Sequence, residues 1–329
     1  MSEPRYVELH RRGILSRRAR EAARMMAPCR LCPRRCGVDR FSGERGVCGA
    51  GVRAEVARAV PHFGEEPPLV GHGGAGTVFF SRCSLRCLFC QNHAISQEGH
   101  GAEMEPRELA QAFIALQSRG CENIDLVSPT HFLPAILEAL AVAADQGLRL
   151  PLVYNTHGYE LPEVLALLDG VVDIYLPDMK YGDSRAAAIC SSAPDYPGVN
   201  RHAVLEMHRQ VGGLGLDGER AVRGLVVRHL VLPGGLAGSR RVLTFLARRV
   251  GTDAWISLMA QYHPCHKAAG HPLLGRRITQ VEYERVVRLV EQLGFENYWL
   301  QTLDSSDTYL PDFTREEPFR VESPQDSQN

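Results

Sequence analysis

From Thr77 onward, short apolar runs alternate with longer stretches whose apolar residues recur every three or four positions. The short runs predict strands at Thr77–Phe80, Ile124–Val127, Leu152–Tyr154, Asp173–Leu176, Leu225–Leu232 and Trp255–Met259. The longer stretches predict helices at Pro106–Ser118, Pro134–Ala144, Leu161–Leu168, Ala203–Val211, Arg240–Val250 and Gln280–Leu293. Six strands, each followed by a helix, indicate an α/β fold with a parallel sheet, either open or curled towards a barrel. A last apolar run, Tyr298–Leu300, is a candidate edge strand.

Composition divides the chain into four segments. Residues 1–28 are arginine-rich, and 5–26 are expected to form one surface helix with Val7, Leu15, Ala22 and Met26 on its packed side. Residues 29–70 are cysteine-rich and end in a proline- and glycine-rich stretch, which is typical of a boundary. Residues 71–310 hold the alternating strands and helices. Residues 311–329 form a polar tail, of which 315–329 are expected to be disordered.

Charge and cysteine content restrict the class of protein. The 329 residues carry 37 Lys+Arg and 38 Asp+Glu, and this net charge of −1 disfavours a protein that binds nucleic acid through its phosphates. No apolar run approaches the roughly 20 residues of a membrane span, and the N-terminus lacks the apolar core of a secretory signal. Ten cysteines without such a signal indicate a reducing, cytoplasmic location, where clustered thiolates usually hold metal.

One glycine-rich stretch matches a nucleotide-binding pattern but lies in the wrong place relative to the predicted strands. The run Gly71-His72-Gly73-Gly74-Ala75-Gly76 matches the dinucleotide-binding pattern G-x-G-x-x-G. In that motif the glycines follow a strand and begin a helix, so that pyrophosphate meets the helix N-terminus. Here they precede the first strand of the alternation, and we expect a flexible connection rather than a nucleotide site.

The strongest chemical signal follows the first strand. Three residues separate Cys83 from Cys87, and two separate Cys87 from Cys90. A four-iron cluster is normally held by four thiolates, so three leave one iron open to another ligand. A structural zinc site that lacks one ligand and unpaired structural cysteines are the alternatives. Neither fits three cysteines at the carboxyl end of a strand, where α/β sheets carry their sites.

This loop resembles the defining motif of the radical S-adenosylmethionine (SAM) superfamily, with the aromatic Phe89 before the last cysteine. The resemblance implies a partial (β/α)6 barrel over 71–310 and a [4Fe–4S] cluster on Cys83, Cys87 and Cys90. It further implies that the fourth iron binds the amino and carboxylate groups of SAM. An electron from the cluster then cleaves the sulfonium to give methionine and a 5′-deoxyadenosyl radical. The protein supplies the open iron, a pocket and shielding from water, because the hard chemistry belongs to the cofactor.

Within the superfamily the chain is similar to the pyruvate formate-lyase activating enzymes, over about Cys29 to Gln301. Position by position, the resemblance implies that Lys180, in Asp178-Met179-Lys180, meets the SAM carboxylate and that Arg228 is a second cation there. It places His263 near the SAM ribose and Asn92 near the cofactor. The alternatives are that Lys180 and Arg228 form ion pairs at the rim, and that His263 is a hydrogen-bonding residue.

The chain departs from that group in one respect. The Gly-Gly-Glu type motif expected after the second strand, which holds the SAM amino group, is replaced by Ser128-Pro129-Thr130-His131. Hydroxyl groups, a carbonyl group or His131 could accept the same hydrogen bonds. The ammonium group would nevertheless lose its carboxylate partner.

A second cysteine set lies near the N-terminus. Cys29, Cys32, Cys36 and Cys48 supply four thiolates, the number that structural zinc or a complete four-iron cluster requires. Zinc, an auxiliary cluster and metal-free thiols remain open. Cys121 and Cys190 are expected to be small buried residues, whereas Cys265, between two histidines, is a candidate hydrogen-atom donor or a structural cysteine.

Three functions follow. The first is a radical SAM oxidoreductase that abstracts hydrogen from a backbone glycine of a partner enzyme, with a low-potential electron donor of flavodoxin or ferredoxin type. The second is radical SAM modification of a peptide, nucleoside or metabolite. The third, a non-enzymatic iron–sulfur or zinc protein, needs neither an open iron nor six α/β units and is disfavoured.

Overall fold

The predicted strands and helices are present in the computed structural model, which describes residues 3–305, 310–315 and 317–319. The strands are β1 Ala54–His62, β2 Ala75–Phe80, β3 Ala102–Met104, β4 Ile124–Val127, β5 Leu152–Thr156, β6 Ile174–Pro177, β7 Gly215–Asp217, β8 Arg220–Leu230, β9 Trp255–Met259 and β10 Asn297–Leu300. The helices are α1 Arg5–Arg11, α2 Ile14–Arg24, α3 Pro67–Val70, α4 His93–Ser96, α5 Pro106–Ser118, α6 Leu133–Asp145, α7 Pro162–Leu165, α8 Ser184–Ser191, α9 Tyr196–Val211, α10 Ser239–Arg249 and α11 Gln280–Gln292.

The sheet has the order β10-β9-β8-β6-β5-β4-β2-β1-β3 and is not closed. Every neighbouring pair from β2 to β10 is parallel, which confirms the α/β prediction and the partial barrel. The candidate edge strand Tyr298–Leu300 lies within β10, parallel to β9. β1 and β3 add an antiparallel border beside β2, so the sheet extends into the cysteine-rich segment. The division of the chain into domains stays a prediction.

Alternation along the strands separates two faces of the sheet. Successive side chains of a strand point to opposite faces. Val153 of β5 and Leu176 of β6 pack with Leu69 of α3 on one face. Tyr154 and Tyr175, the alternate residues, pack into the main core with the helices. The face that carries Val153 and Leu176 also presents the polar residues of the site described below.

The two ends of the chain differ from the prediction. The expected single helix over 5–26 is two helices, because Gly13 between them adopts the left-handed conformation with φ of +67°. Val7, Leu15, Ala22 and Met26 are buried as expected. In the tail, residues 315 and 317–319 are ordered, and the ring of Phe319 lies 5.4 Å from that of Phe79 on β2. Residues 316 and 320–329 lie outside the described residues.

None of the described helices combines the length and apolar character that a crossing of the bilayer requires.

The glycine-rich stretch before β2 allows two backbones to approach closely. A Cβ built on Gly73 would lie 1.8 Å from the backbone oxygen of Gly120, and one on Gly76 would lie 2.4 Å from that of Asn123. These glycines thus seat the chain against the segment before β4, which accounts for the motif without a nucleotide.

We predict that Gly73→Ala lowers the free energy of unfolding by about 1–3 kcal/mol, because a backbone atom has to move to admit the methyl group. Chemical denaturation measures this change. Gly213→Ala is the matched control, since a Cβ there meets no atom within 4 Å. Equal stability of the two variants would contradict the close approach.

Candidate functional site

A cavity of about 460 Å³ opens at the carboxyl ends of the parallel strands. It is lined from several strands and loops, since carboxyl ends of parallel strands meet at the same edge of a sheet. The residues predicted from the cluster loop and from the activating-enzyme resemblance line this one cavity: Cys83, Cys87, Cys90, Asn92, Asp178, Lys180, Arg228 and His263. The sequence hypothesis that they form a common site is thus consistent with the fold.

The cysteine loop is held in a tight conformation directly after β2. Arg82 and Arg86 adopt positive φ angles of 70° and 55°, which are rare for residues other than glycine. The side chain of Arg82 donates a hydrogen bond from Nε to Oε2 of Glu55 at 2.6 Å, and its backbone N–H donates to the carbonyl of Ile95 at 2.9 Å. These bonds fix the turn that directs the thiols into the cavity.

Hydrogen-bond donors surround the three sulfur atoms. The hydroxyl of Ser191 donates to Sγ of Cys87 at 3.1 Å, and the backbone N–H of Leu85 lies 3.4 Å from Sγ of Cys83. Ser96 Oγ lies 3.2 Å from Sγ of Cys90. Such contacts stabilise thiolate ligands and orient them.

Two of the three thiols, Cys83 and Cys90, are protonated near pH 7 when no metal is bound. Burial raises the pKa of Cys83 to about 11 and that of Cys90 to about 12. Iron binding must therefore displace protons, so assembly of a cluster becomes less favourable as the pH falls. Two buried thiols and the half-buried Cys90 on one cavity, with hydrogen-bonding groups at their sulfur atoms, fit a cluster that leaves one iron open.

Arg34, from the cysteine-rich segment, anchors this loop. Its guanidinium donates to the carbonyl of Ser84 at 2.9 Å and to that of Leu85 at 3.4 Å. It also donates to the carbonyls of Ser191 and Ser192, at 2.7 and 2.5 Å. One side chain therefore joins the N-terminal cysteine segment, the cluster loop and the end of α8.

Lys180 lies on the cavity wall after β6. Its Nζ lies 2.5 Å from Oδ2 of Asp178. Burial by itself would lower the pKa of Lys180, but Asp178 and the nearby Cys87 outweigh burial and raise it. The ammonium group therefore stays charged in the cavity. It is available to an anionic group of a ligand.

Arg228 is paired with two carboxylates that the sequence reasoning missed. Its guanidinium makes two hydrogen bonds of 2.7 Å to Glu66 and also contacts Glu65. Burial raises the pKa of Glu66, but the charge of Arg228 and its hydrogen bonds lower it further than burial raises it. The cation predicted for the SAM carboxylate thus has partners within the protein. A doubled acidic residue before Pro67-Pro68 was the available signal.

A polar layer continues from Arg228 across the sheet. NH1 of Arg228 lies 3.4 Å from Oδ1 of Asn155, whose amide donates to Oδ2 of Asp125 at 3.4 Å. Thr77 Oγ1 lies 3.4 Å from the same carboxyl oxygen. Burial raises the pKa of Asp125 well above its ordinary value, with the charge of Glu65 adding to this effect. The carboxylates in direct contact with Arg228 are Glu65 and Glu66.

The replacement for the Gly-Gly-Glu motif contributes little to the cavity. Of Ser128-Pro129-Thr130-His131, only Ser128 is among the lining residues, and it adopts a φ of +57°. Thr130 donates to the buried Glu160 at 2.6 Å. His131 Nε2 lies 2.8 Å from the carbonyl of Ser81, and burial lowers its pKa to about 3. Neither Thr130 nor His131 faces the cavity.

Cys265 lies beside the cluster loop. Its Sγ lies 3.6 Å from the carbonyl of Phe89, and it is not among the residues that line the cavity. Its role as a hydrogen-atom donor stays a prediction. Cys121 and Cys190 are buried, as expected of small core residues.

The four N-terminal cysteines lie close enough to affect one another. Burial raises the pKa of Cys32 to about 12, and charges on Cys48 and Cys29 add to this effect. Cys36 raises the pKa of Cys29 further after burial, while Arg40 opposes it. The buried Arg40 guanidinium lies 3.7 Å from Sγ of Cys48. A cation beside four thiols fits a thiolate-bound metal, and the choice between zinc and a cluster stays open.

Similarity to known proteins identifies the family of this chain. The sequence profile of the Radical SAM superfamily matches residues 77–234. The uncharacterized protein MJ0674 of Methanocaldococcus jannaschii is 30% identical over 295 residues, which cover 86% of this chain and 80% of that protein. The chain belongs to the radical SAM superfamily. The superfamily implies a [4Fe–4S] cluster and SAM as cofactors.

Two solved structures are similar at low identity. A radical SAM methyltransferase from Sphaerobacter thermophilus is 13% identical with a TM-score of 0.47, over 68% of this chain and 65% of that one. Streptococcus suis SuiB, solved bound to precursor peptide SuiA, is 10% identical with a TM-score of 0.47. The match covers 70% of this chain and 49% of SuiB. The chain spans less than two thirds of each.

We predict that a Cys83/Cys87/Cys90→Ala variant, reconstituted without oxygen, holds about four fewer iron atoms per chain than the parent protein. Iron analysis measures this loss. A Cys32/Cys36→Ala variant is the comparison, because it should release only the metal of the N-terminal cysteines. Unchanged iron in the triple variant would show that these thiols hold no cluster.

Proposed function

We propose that this radical SAM enzyme cleaves SAM reductively in the cavity and uses the product to abstract hydrogen from a backbone glycine of a partner enzyme. The observation that carries the proposal is the convergence of Cys83, Cys87 and Cys90 with Asp178 and Lys180 on one cavity. The resemblance to the activating enzymes at these positions supports a glycine as the target. A low-potential electron donor of flavodoxin or ferredoxin type would reduce the cluster.

Charge in the cavity is complementary to SAM. The walls carry three carboxylates (Glu65, Glu66 and Asp178) and two cations (Lys180 and Arg228). SAM carries an ammonium, a sulfonium and one carboxylate, so its excess positive charge matches the excess negative charge of the walls. Burial lowers the pKa of His62, next to Glu65, so this histidine adds no charge near pH 7.

Lys180 and Glu65 bind different groups of SAM. Lys180 lines the same cavity as the three thiols, and Cys87 and Cys90 raise its pKa when they are ionised. Its Nζ can donate a charge-assisted hydrogen bond to the SAM carboxylate. Glu65 is the acceptor for the ammonium, because the only ion-pair partner of its Oε1 among the described residues is Nε2 of His62, at 4.0 Å. Both oxygens of Glu66, by contrast, face Arg228. When bound, the cluster supplies the electron that cleaves the sulfonium and releases the 5′-deoxyadenosyl radical.

The target is tested by transfer of deuterium. Cells of a candidate host are grown with glycine deuterated at its α-carbon, and the reduced enzyme is incubated with their proteins and SAM without oxygen. Abstraction from glycine should give 5′-deoxyadenosine one mass unit heavier than in unlabelled extract. Unlabelled 5′-deoxyadenosine, formed at a rate that depends on extract, would instead indicate another hydrogen donor, such as another residue, a nucleoside or a metabolite.

We predict that Lys180→Met weakens SAM binding about tenfold to a hundredfold, because one charge-assisted bond of roughly 1.5–3 kcal/mol is lost. The measurement is SAM binding to the reconstituted, unreduced protein, with iron content as the check on the cluster. Lys267→Met, at an exposed position, is the matched control. Binding equal to that of the parent would remove Lys180 from the site.

We predict that Glu65→Gln weakens SAM binding about tenfold, because a neutral amide replaces the acceptor of the ammonium group. Arg228 keeps its two bonds to Glu66, so thermal unfolding should change little. Glu163→Gln, a half-exposed carboxylate paired with Arg35, is the control. Undiminished SAM affinity in Glu65→Gln would assign the ammonium to another acceptor.

A further inference from the structure

Three potential metal ligands outside both cysteine sets meet beside the cavity. They are His93, which begins α4 directly after the cluster loop, Glu98, which follows that helix, and His266, in the turn after β9. One ligand atom from each lies within 4.8 Å of the others. The three side chains do not line the cavity, but His93 adjoins the lining residue Asn92.

The two imidazole rings lie against each other, and one nitrogen of each lacks a hydrogen bond within the described residues. They stack with centroids 4.8 Å apart and an interplanar angle of 19°. Within the part of the chain that the structure describes, Nε2 of His266 is buried and has no hydrogen-bond partner. Nε2 of His93 faces Glu98, while its Nδ1 is buried and lacks a hydrogen bond among the same residues. A buried ring nitrogen without a partner is costly, so the arrangement indicates a missing partner for Nε2 of His266.

The surroundings of His266 favour its neutral form. Burial lowers the pKa of His266, and His93 and Lys267 lower it further. Glu98 lies between two histidines, with Oε1 3.8 Å from Nε2 of His93 and Oε2 3.6 Å from Nε2 of His100. Neutral imidazole and ionised carboxylate are the forms that bind metal.

We propose that His93, Glu98 and His266 bind a divalent first-row transition-metal ion of the zinc type. Two imidazoles and one carboxylate are a common ligand set for Zn²⁺ and Fe²⁺, and they leave coordination positions open. In a tetrahedral zinc site, ligand atoms are about 3.3 Å apart, by the usual metal–ligand distances near 2.0 Å. The ligand atoms lie 3.8 Å apart for His93 and Glu98 and within 4.8 Å for the whole set. They therefore need to approach by up to about 1.5 Å, which rotation of the side chains provides.

The site has a defined relation to the cavity. Asn92 and His263 line the cavity. His93 directly follows Asn92, and His266 lies three residues after His263. A metal there would be a fixed positive charge next to the mouth, with its open positions free for water or for an anionic group of a bound molecule. This inference does not depend on the identity of the substrate.

The experiment uses the full chain with its iron–sulfur sites reconstituted, dialysed without oxygen against micromolar Zn²⁺. The parent should hold one zinc per chain that His266→Ala and Glu98→Gln lose or bind at least about tenfold more weakly. Iron content and thermal unfolding of each variant show whether it is folded and loaded. His202→Ala, an exposed histidine on α9, is the matched control and should keep the zinc.

Zinc X-ray absorption separates this site from the cysteine sites. A zinc signal with nitrogen and oxygen ligands that is lost in His266→Ala supports the proposal, whether or not zinc on the N-terminal cysteines adds sulfur ligands. Zinc content and ligation that are the same in the parent, His266→Ala and Glu98→Gln would overturn it. Binding of no zinc by the folded parent would overturn it as well.

Discussion

Arg228 is a full positive charge in the interior of a partial barrel, and the groups around it are arranged as that charge requires. An unpaired guanidinium at such a position would cost several kcal/mol. Glu66 binds it through two hydrogen bonds, and Glu65 adds a second carboxylate. Since both acids lie in the connection between β1 and α3, this pairing fixes that connection across the sheet. The cavity wall opposite the cluster loop thus depends on one ion-pair cluster.

The sheet could be predicted from sequence because its strands are buried on both sides and read as short apolar runs. The positions of the cysteine loop and Lys180 at the cavity could be predicted because each follows such a run, at the edge where parallel strands place their sites. The pairing of Glu65 and Glu66 with Arg228 could not be predicted in this way. Both acids lie in a proline-rich connection that is typical of a boundary, and Arg228 follows them by 163 and 162 residues, respectively.

Backbone conformations with positive φ could not be predicted from the sequence either. Gly13 divides the N-terminal helix through a left-handed conformation that helical periodicity does not reveal. Ser128 adopts such a conformation without being glycine, and it turns the chain so that Thr130 and His131 enter the core. In the polar tail, Phe313 and Phe319 provide enough apolar surface to pack on Phe79. Average polarity of the tail concealed these two aromatic anchors.

Arg34 imposes an order on the biogenesis of the protein. Its acceptors Ser84 and Leu85 are synthesised 50 and 51 residues after it, and Ser191 and Ser192 follow 157 and 158 residues after it. While the chain emerges from the ribosome, the cluster loop therefore exists for a time without its last clamp and without the hydroxyl of Ser191 on Cys87. Iron delivered in that interval would meet exposed, competing thiols from both cysteine sets. Faithful loading thus belongs to the period after α8 has been made and has docked.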